Sequence, residues 1–152
     1  MATPKPLRLM AEDSNDLKVI SAALQDAVSK VGGFRYQAKR RRFSLELNRF
    51  RWEDVVHDGG KPARARAILG VDGVTGVRAR GLTKSDPELV ISFLSAEFVT
   101  DDEPPGGKLK LLFAGDGEIE IDVECLDVTL LDSDTIWNTR HTPDHESRSG
   151  RR

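Results

Sequence analysis

The chain has 152 residues, of which 38 % are hydrophobic and 32 % are charged, and its formal net charge is −2 at pH 7. This composition predicts one soluble domain whose core is large enough to fold without metals or disulfides. The near-neutral charge argues against attraction of the whole molecule to nucleic acid or to a membrane surface. No apolar run reaches even half of the ~18–20 residues that a membrane span needs.

Two further features point to a cytoplasmic protein. The first residues, Met-Ala-Thr-Pro-Lys-Pro, contain no apolar signal segment. The one cysteine, Cys125, excludes an internal disulfide and any metal site built from several cysteines.

The only good helical period lies in residues 14–31, where apolar residues recur at steps of three and four. Asp13 or Ser14 can cap the free amides at the start of this helix. Gly32-Gly33 is typical of a helix end because glycine tolerates the left-handed conformation found there. We therefore predict one helix over residues 14–31.

Alternating apolar residues from Phe34 onward predict strands, because side chains in a strand point to two faces in turn. Pairing Ala38 with Phe43 puts the apolar residues of two strands on one face and leaves residues 39–42 as their loop. Farther along, the apolar residues move to even positions, which predicts a bulge or a sharp bend near residues 48–49.

The next two strands alternate arginine with apolar residues, and Asp72-Gly73 between them is typical of a hairpin turn. A two-residue turn would mix polar and apolar faces. A three-residue connection, residues 72–74, places Leu69 opposite Val77 and preserves one apolar face. We expect this second register.

The run Leu89–Phe98 is apolar at odd and even positions alike, which predicts a central strand covered on both faces. A hairpin follows, in which apolar residues at 109–113 face those at 119–123 across Gly115-Asp116-Gly117. The same register sets two lysines opposite two acidic residues, so apolar packing and charge pairing agree.

The predicted fold class is α+β, with one N-terminal helix packed on a strongly curved antiparallel sheet of six or seven strands. A single helix cannot cover a flat sheet of that width, so we expect a half-open or closed barrel. Residues 1–134 are assigned to this single domain and residues 135–152 to a flexible polar tail. Trp137 is expected to be a buried anchor that ties the start of the tail to the domain.

The near-zero net charge conceals a division along the chain. Residues 30–84 carry 14 lysines and arginines against five acidic residues, whereas residues 85–134 carry two against 14. In the expected register Arg66 lies opposite Arg80, which is unfavourable for like charges. Acidic residues alternate from Glu118 to Glu124 on a later strand. We favour neutralisation of the two ladders by each other; the alternative is that the arginines stay exposed and bind an acidic partner, RNA or a phosphate.

Cations are also concentrated in and after the loop at residues 39–42. The candidate binding residues are Lys39, Arg40, Arg41, Arg42, Arg49 and Arg51. Five of the nine aromatic residues lie between Phe34 and Trp52, and cations beside aromatic rings are typical of single-strand nucleic-acid surfaces. However, the same rings fit a core, and no aromatic RNA-recognition signature is present. A solubilising loop above core aromatics and an anion-binding surface both remain open.

Signals for catalysis or metal binding are absent or poor. His57 falls in a loop without a visible partner, while His141 and His145 lie in the polar tail. Cys125 lies beside apolar residues and is expected to be a buried structural thiol. No phosphate loop or nucleophile elbow occurs. We therefore expect no enzyme activity, no cofactor and no metal.

Several stretches resemble an uncharacterised family of short alphaproteobacterial proteins that is catalogued only as a domain of unknown function. They are Leu7–Asp13, Leu24–Val28, Arg41–Leu45, Leu47–Glu53 and Val123–Leu126. The resemblance covers about residues 7–137, and Leu-Asn-Arg-Phe-Arg-Trp-Glu is its most specific part. It implies a bacterial cytoplasmic protein and supplies no catalytic residue, cofactor or partner.

The function that the sequence favours is a small non-catalytic interaction domain that binds a macromolecular partner through charged surfaces. A protein partner is favoured over RNA. The alternative is a module that binds RNA or another polyanion through the loop at residues 39–42 and its neighbouring arginines and aromatics. Binding through these cations would be favoured by a compact surface without acidic neighbours on which five arginines converge, namely Arg40, Arg41, Arg42, Arg49 and Arg51.

Overall fold

The computed structural model describes residues 5–53, 62–82 and 86–139, except for the side chains of residues 134, 135 and 138. The elements that lie wholly within these ranges are one α-helix, two 3-10 helices (Val31–Gly33 and Ala38–Arg40) and ten strands. The α-helix is α1 (Ser14–Ala23), and the strands are β1 (Arg8–Ala11), β2 (Val28–Lys30), β3 (Phe34–Gln37), β4 (Arg42–Phe50), β5 (Ala63–Asp72), β6 (Val74–Arg80), β7 (Val90–Thr100), β8 (Gly107–Phe113), β9 (Gly117–Val123) and β10 (Val128–Asn138).

All ten strands belong to one antiparallel sheet, which confirms the α+β class with one α-helix packed on a sheet. The order is β1-β10-β5-β4-β2-β7-β8-β9-β6, and β3 pairs beside β4. The predicted count of six or seven strands is wrong, and the short strands β1 and β2 were missed because they are too short to show alternation over several residues. The end strands β1 and β6 do not pair with each other in the described ranges, so the sheet is not a closed barrel.

The helix α1 is shorter than its period predicts. It begins where expected, because the Asp13 side chain accepts a hydrogen bond from the Asp16 amide at 2.8 Å. It ends at Ala23 because the chain then turns onto β7, where the Phe93 amide donates to the Ala27 carbonyl. The later apolar residues of the period belong to β2 and the 3-10 helix that follows it. Gly32 therefore does not end α1. It lies in tight contact with another segment instead, because a Cβ atom there would be 2.9 Å from the Pro87 carbonyl oxygen.

Two hairpins form in the predicted places but with registers shifted by two residues. In the first, Tyr36 rather than Ala38 pairs with Phe43, because the 3-10 helix takes Ala38 into the connection. In the second, β8 and β9 pair Phe113 with Gly117. A shift of two keeps every side chain on its predicted face. The bulge expected near residues 48–49 is absent, since β4 pairs with β5 without a register shift.

The third predicted hairpin does not exist. The strand β5 pairs with β4 and β10, whereas β6 pairs with β9, so Leu69 does not face Val77 and Arg66 does not face Arg80. Instead the chain crosses between two parts of the sheet at Gly73, which has φ +71°. Long-range backbone hydrogen bonds hold the crossing and replace the local pairing of a hairpin.

The central position of β7 is as predicted, but this strand is not covered on both faces. Its Ile91 and Phe93 side chains are buried, while the Val90, Leu94 and Val99 side chains are exposed.

The expectation for the C-terminal region also needs correction, because β10 continues to Asn138 and includes the first residues of the predicted tail. Residues 140–152 lie outside the described residues.

The core lies between α1 and the inward face of the sheet. From α1 it takes Leu17, Ile20 and the following Leu24, all at most 2 % exposed. Four phenylalanine rings join strands from different parts of the sheet, namely Phe34, Phe43, Phe93 and Phe113. The aromatic residues early in the chain therefore serve chiefly as core.

Candidate functional site

The predicted basic loop forms the connection between β3 and β4. A 3-10 turn, Ala38–Arg40, is followed by Arg41 in the left-handed conformation with φ 54°. The side chain of Arg35, on the adjacent strand, is exposed. We call Arg35 and residues 39–42 the basic tip.

Two cations of the basic tip are paired with carboxylates. The Arg41 guanidinium pairs with Glu124, and Arg42 Nη1 donates to Asp72 Oδ2 at 2.7 Å. For Arg35, Lys39 and Arg40 there is no ion pair with any described residue. The basic tip therefore carries three exposed cations without a carboxylate neighbour in the described ranges, beside two that are neutralised.

Arg49, a predicted binding residue, is fully buried. It occupies an inward position of β4, next in alternation after Leu45 and Leu47. Its guanidinium donates to both carboxylate oxygens of Asp132 at 2.7 and 2.8 Å, and to those of Glu53 at 3.0 and 2.5 Å. Burial opposes the charged form, but these hydrogen bonds outweigh burial and raise the pKa of Arg49 above its ordinary value.

Arg51 belongs to the same cluster. It donates to Asp132 Oδ2 at 2.9 Å and to the Lys5 carbonyl at 3.0 Å, and its side chain is 3 % exposed. The Leu7 amide also donates to Asp132 Oδ2, at 3.0 Å. Asp132 thus joins the first described residues of the chain, the end of β4 and the bulge of β10. We call Arg49, Arg51, Glu53 and Asp132 the buried charge cluster.

The compact surface of five arginines that would have favoured binding by all of them does not form. Arg42 and Arg49 lie at opposite ends of β4, about 23 Å apart along the strand. Arg49 and Arg51 are inaccessible and have carboxylate partners. The sequence did contain a signal: if Leu45 and Leu47 point inward, residue 49 does so as well unless a bulge intervenes.

The acidic ladder on β9 is neutralised in part, at Glu120 and Asp122, by Arg78 of the predicted arginine ladder. Arg78 donates to Glu120 at 2.7 and 2.9 Å and to Asp122 at 2.7 and 2.8 Å. Lys108 on β8 donates to Asp122 at 3.0 Å. On β5, Arg66 pairs instead with Glu46 of β4. Arg80 and Glu118 lie opposite each other but form no ion pair within the described residues. The basic tip remains the candidate site because several of its cations lie together in one loop.

This pairing predicts a loss of stability in acid. Hydrogen bonds from Arg78 and Lys108, opposed by burial, lower the pKa of Asp122 from 3.8 to about 2. A carboxyl with a lowered folded pKa stabilises the protein above its unfolded pKa and loses that contribution as pH falls through the folded pKa. We expect the free energy of unfolding, measured in urea, to fall between pH 4 and pH 2. Asp122→Asn should flatten that segment of the pH profile, whereas an unchanged slope would contradict the assignment.

The remaining sequence candidates are Cys125, Trp137 and three histidines. Cys125 is exposed, so the expectation of a buried thiol is wrong. Trp137 is 37 % exposed and is not the buried anchor that was predicted. His57, His141 and His145 lie outside the described residues. Within the ranges that the structure describes, no group of three potential metal ligands comes together, and no helix has the length and hydropathy of a membrane span.

A groove of about 510 Å³ lies along β2, the 3-10 helix after it and β4. Its size suits a small ligand. Its charged walls are already paired, Lys30 with Glu88 at 2.8 Å and Arg66 with Glu46 at 2.9 Å. The groove therefore selects no ligand of a particular charge.

Comparison with known families gives one match. The model of a family described as "Protein of unknown function (DUF2948)" matches residues 7–145, which is most of the chain. The chain belongs to this family. No curated protein and no solved structure matches it. Membership in DUF2948 confirms the resemblance to a family of unknown function; the bacterial origin that the resemblance implies stays a prediction.

Proposed function

We propose that this DUF2948 protein is a non-catalytic interaction domain that binds an acidic protein segment through the basic tip. The observation that carries the proposal is the trio of exposed cations Arg35, Lys39 and Arg40, which pair with no carboxylate of the described residues. Elsewhere on the sheet, Arg66 of β5 is paired with Glu46 and Arg78 of β6 with Glu120 and Asp122. An excess of one charge at a single place favours a partner of the opposite charge.

Burial of the aromatic residues favours protein over RNA as the partner. Single-stranded nucleic acid binds where aromatic faces are open for bases to stack. Phe43 and Phe50 are at most 2 % exposed, and Phe34 packs against the core. Tyr36, 41 % exposed, is the one aromatic ring of the described tip region with a large open surface. We therefore keep RNA or another polyanion as the second candidate.

The proposal also places the protein in the cytoplasm. Its one cysteine is exposed and free. A free exposed thiol is ordinary in a reducing compartment and is avoided in secreted proteins.

The test compares two labelled probes of similar charge, a ten-residue polyglutamate peptide and a ten-nucleotide polyuridine RNA. We expect the full-length protein to bind the peptide in fluorescence anisotropy, with affinity that falls as salt rises, because exposed charges are screened over about 8 Å at physiological ionic strength. Reversal of the two loop cations, in Lys39→Glu/Arg40→Glu, should weaken binding by about tenfold or more.

The control is Lys18→Glu, which reverses one exposed cation on α1, away from the basic tip. It should leave peptide affinity nearly unchanged. An equal loss in this variant, or no loss in the double variant, would contradict the proposal. Tighter binding of the RNA than of the peptide would replace it with the polyanion alternative.

A further inference from the structure

The strand β1 is the end of the sheet and has one free edge. It pairs with β10, and no other described strand lies beside it. Edge strands present a row of backbone donors and acceptors that can pair with another strand. On the same strand, the Met10 side chain is 63 % exposed.

The hydrogen-bond pattern shows which backbone groups face the free edge. The Asp132 amide donates to the Leu7 carbonyl, so residues 7 and 132 form a hydrogen-bonded pair of the ladder. Such pairs alternate along an antiparallel ladder. The N–H and C=O groups of Leu9 and Ala11 therefore point toward β10, and those of Arg8 and Met10 point outward. No described residue hydrogen-bonds these outward groups of Arg8 and Met10.

The sequence of this edge is complementary to itself. A two-fold axis at Met10 would pair two copies of the strand antiparallel, with Met10 opposite Met10 of the second copy. Arg8 then lies opposite Glu12 of the second copy, twice by symmetry. Arg8 and Met10 are exposed and share one face of β1, and Glu12, also exposed, follows the strand directly in the bend before α1. Opposite charges in cross-strand pairs are stabilising.

An apolar surface continues behind this edge. Leu131 pairs with Arg8 on one side and with Ile68 on the other, and the two side chains are 37 % and 45 % exposed. Met10 lies diagonally next to Leu131. In a paired dimer, the apolar surface of Ile68, Leu131 and Met10 would meet its copy at the two-fold axis, where the two Met10 side chains lie opposite each other.

We infer that the protein forms a two-fold dimer in which β1 pairs with β1 of a second copy, centred on Met10, with Arg8 opposite Glu12. This goes beyond the proposed function, because it uses a different edge of the sheet and a second copy as partner. A C2 interface uses the same patch on both subunits, and this strand meets that requirement. Pairing of two short edge strands buries less surface area than a standard protein–protein interface. We therefore expect a dissociation constant on the order of 10–100 µM.

The test is the oligomeric state of the full-length protein, measured by sedimentation equilibrium from about 1 µM to 1 mM. Each single reversal, Arg8→Glu or Glu12→Arg, places like charges opposite each other twice and should weaken association at least tenfold. The double variant Arg8→Glu/Glu12→Arg restores opposite charges and should recover association close to wild type. This rescue requires the register proposed here.

A backbone variant tests the edge without changing charge. Met10→Pro removes an N–H that points outward, and proline is tolerated at such edge positions, so the fold should remain and the dimer should dissociate. Arg35→Glu is the control for charge: it alters the basic tip and should leave association unchanged. A wild-type protein that is monomeric at 1 mM, or single variants that still dimerise like wild type, would overturn the inference. Loss of peptide binding with retained dimerisation would instead concern the proposed function alone.

Discussion

Replacing Asp132 with alanine is expected to lower the free energy of unfolding by about 3–5 kcal/mol. Asp132 and Arg49 are both 0 % exposed at the side chain, and Arg51 is 3 % exposed. Removal of the carboxylate takes away the partner that the two buried guanidinium groups of Arg49 and Arg51 share. An uncompensated buried charge costs far more than the pair contributes, so the effect should be among the largest from a single polar residue.

Urea denaturation of the full-length protein measures this effect, and the chain offers a matched control. Glu46 forms an ion pair with Arg66 at 2.9 Å, but both side chains are 51 % exposed. Glu46→Ala should therefore cost no more than about 1 kcal/mol. If the two variants lost equal stability, the buried charge cluster would not be the structural element described above.

The buried charge cluster shows why the site could be predicted only in part. Local alternation placed Arg49 beside inward residues, but its partner Asp132 lies 83 positions away in the chain. No local pattern reveals a carboxylate at that distance, so a buried arginine was interpreted as an exposed one. The position of residues 39–42 at the surface could be predicted, because a run of four cations lies there whatever register the strands adopt.

Strand pairings were likewise predicted where the two strands are close in sequence and missed where they are far apart. Hairpins closed by short turns, β3 with β4 and β8 with β9, were predicted to within two residues. The pairings of β5 with β10 and of β6 with β9 were missed, because they join segments that are far apart in sequence. Asp72-Gly73 is a typical hairpin turn, yet buried contacts on both sides outweigh the turn preference there.

The stretch Leu47–Glu53, the most specific part of the family resemblance, supplies Arg49, Arg51 and Glu53 to the buried charge cluster. These three side chains therefore have a structural role in the fold. This separates them from the basic tip, which begins at the other end of β4. A variant of the basic tip should consequently alter binding without loss of stability, whereas a variant of Arg49, Arg51 or Glu53 should lower the free energy of unfolding.

Truncation of Phe113 to alanine is expected to cost about 3–5 kcal/mol in the free energy of unfolding. This ring is 2 % exposed and lies 6.0 Å from Phe93 in an edge-to-face arrangement and 5.9 Å from Phe34. Phe93 belongs to β7 and Phe34 to β3, strands that do not pair with each other in the described residues. Packing of the rings therefore adds to the backbone pairing that joins β3 to β7 through β4 and β2, and alanine would leave a cavity between them.

Tyr36→Ala is the control, since it removes a ring of similar size from β3 that is 41 % exposed. It should cost about 1 kcal/mol or less, because surface substitutions leave little cavity. Equal losses in the two variants, measured by urea denaturation, would show that the aromatic residues are not a shared core. A large loss confined to Phe113→Ala would mean that the rings near the basic tip are committed to packing, which leaves the exposed cations as the part of that region free to bind a partner.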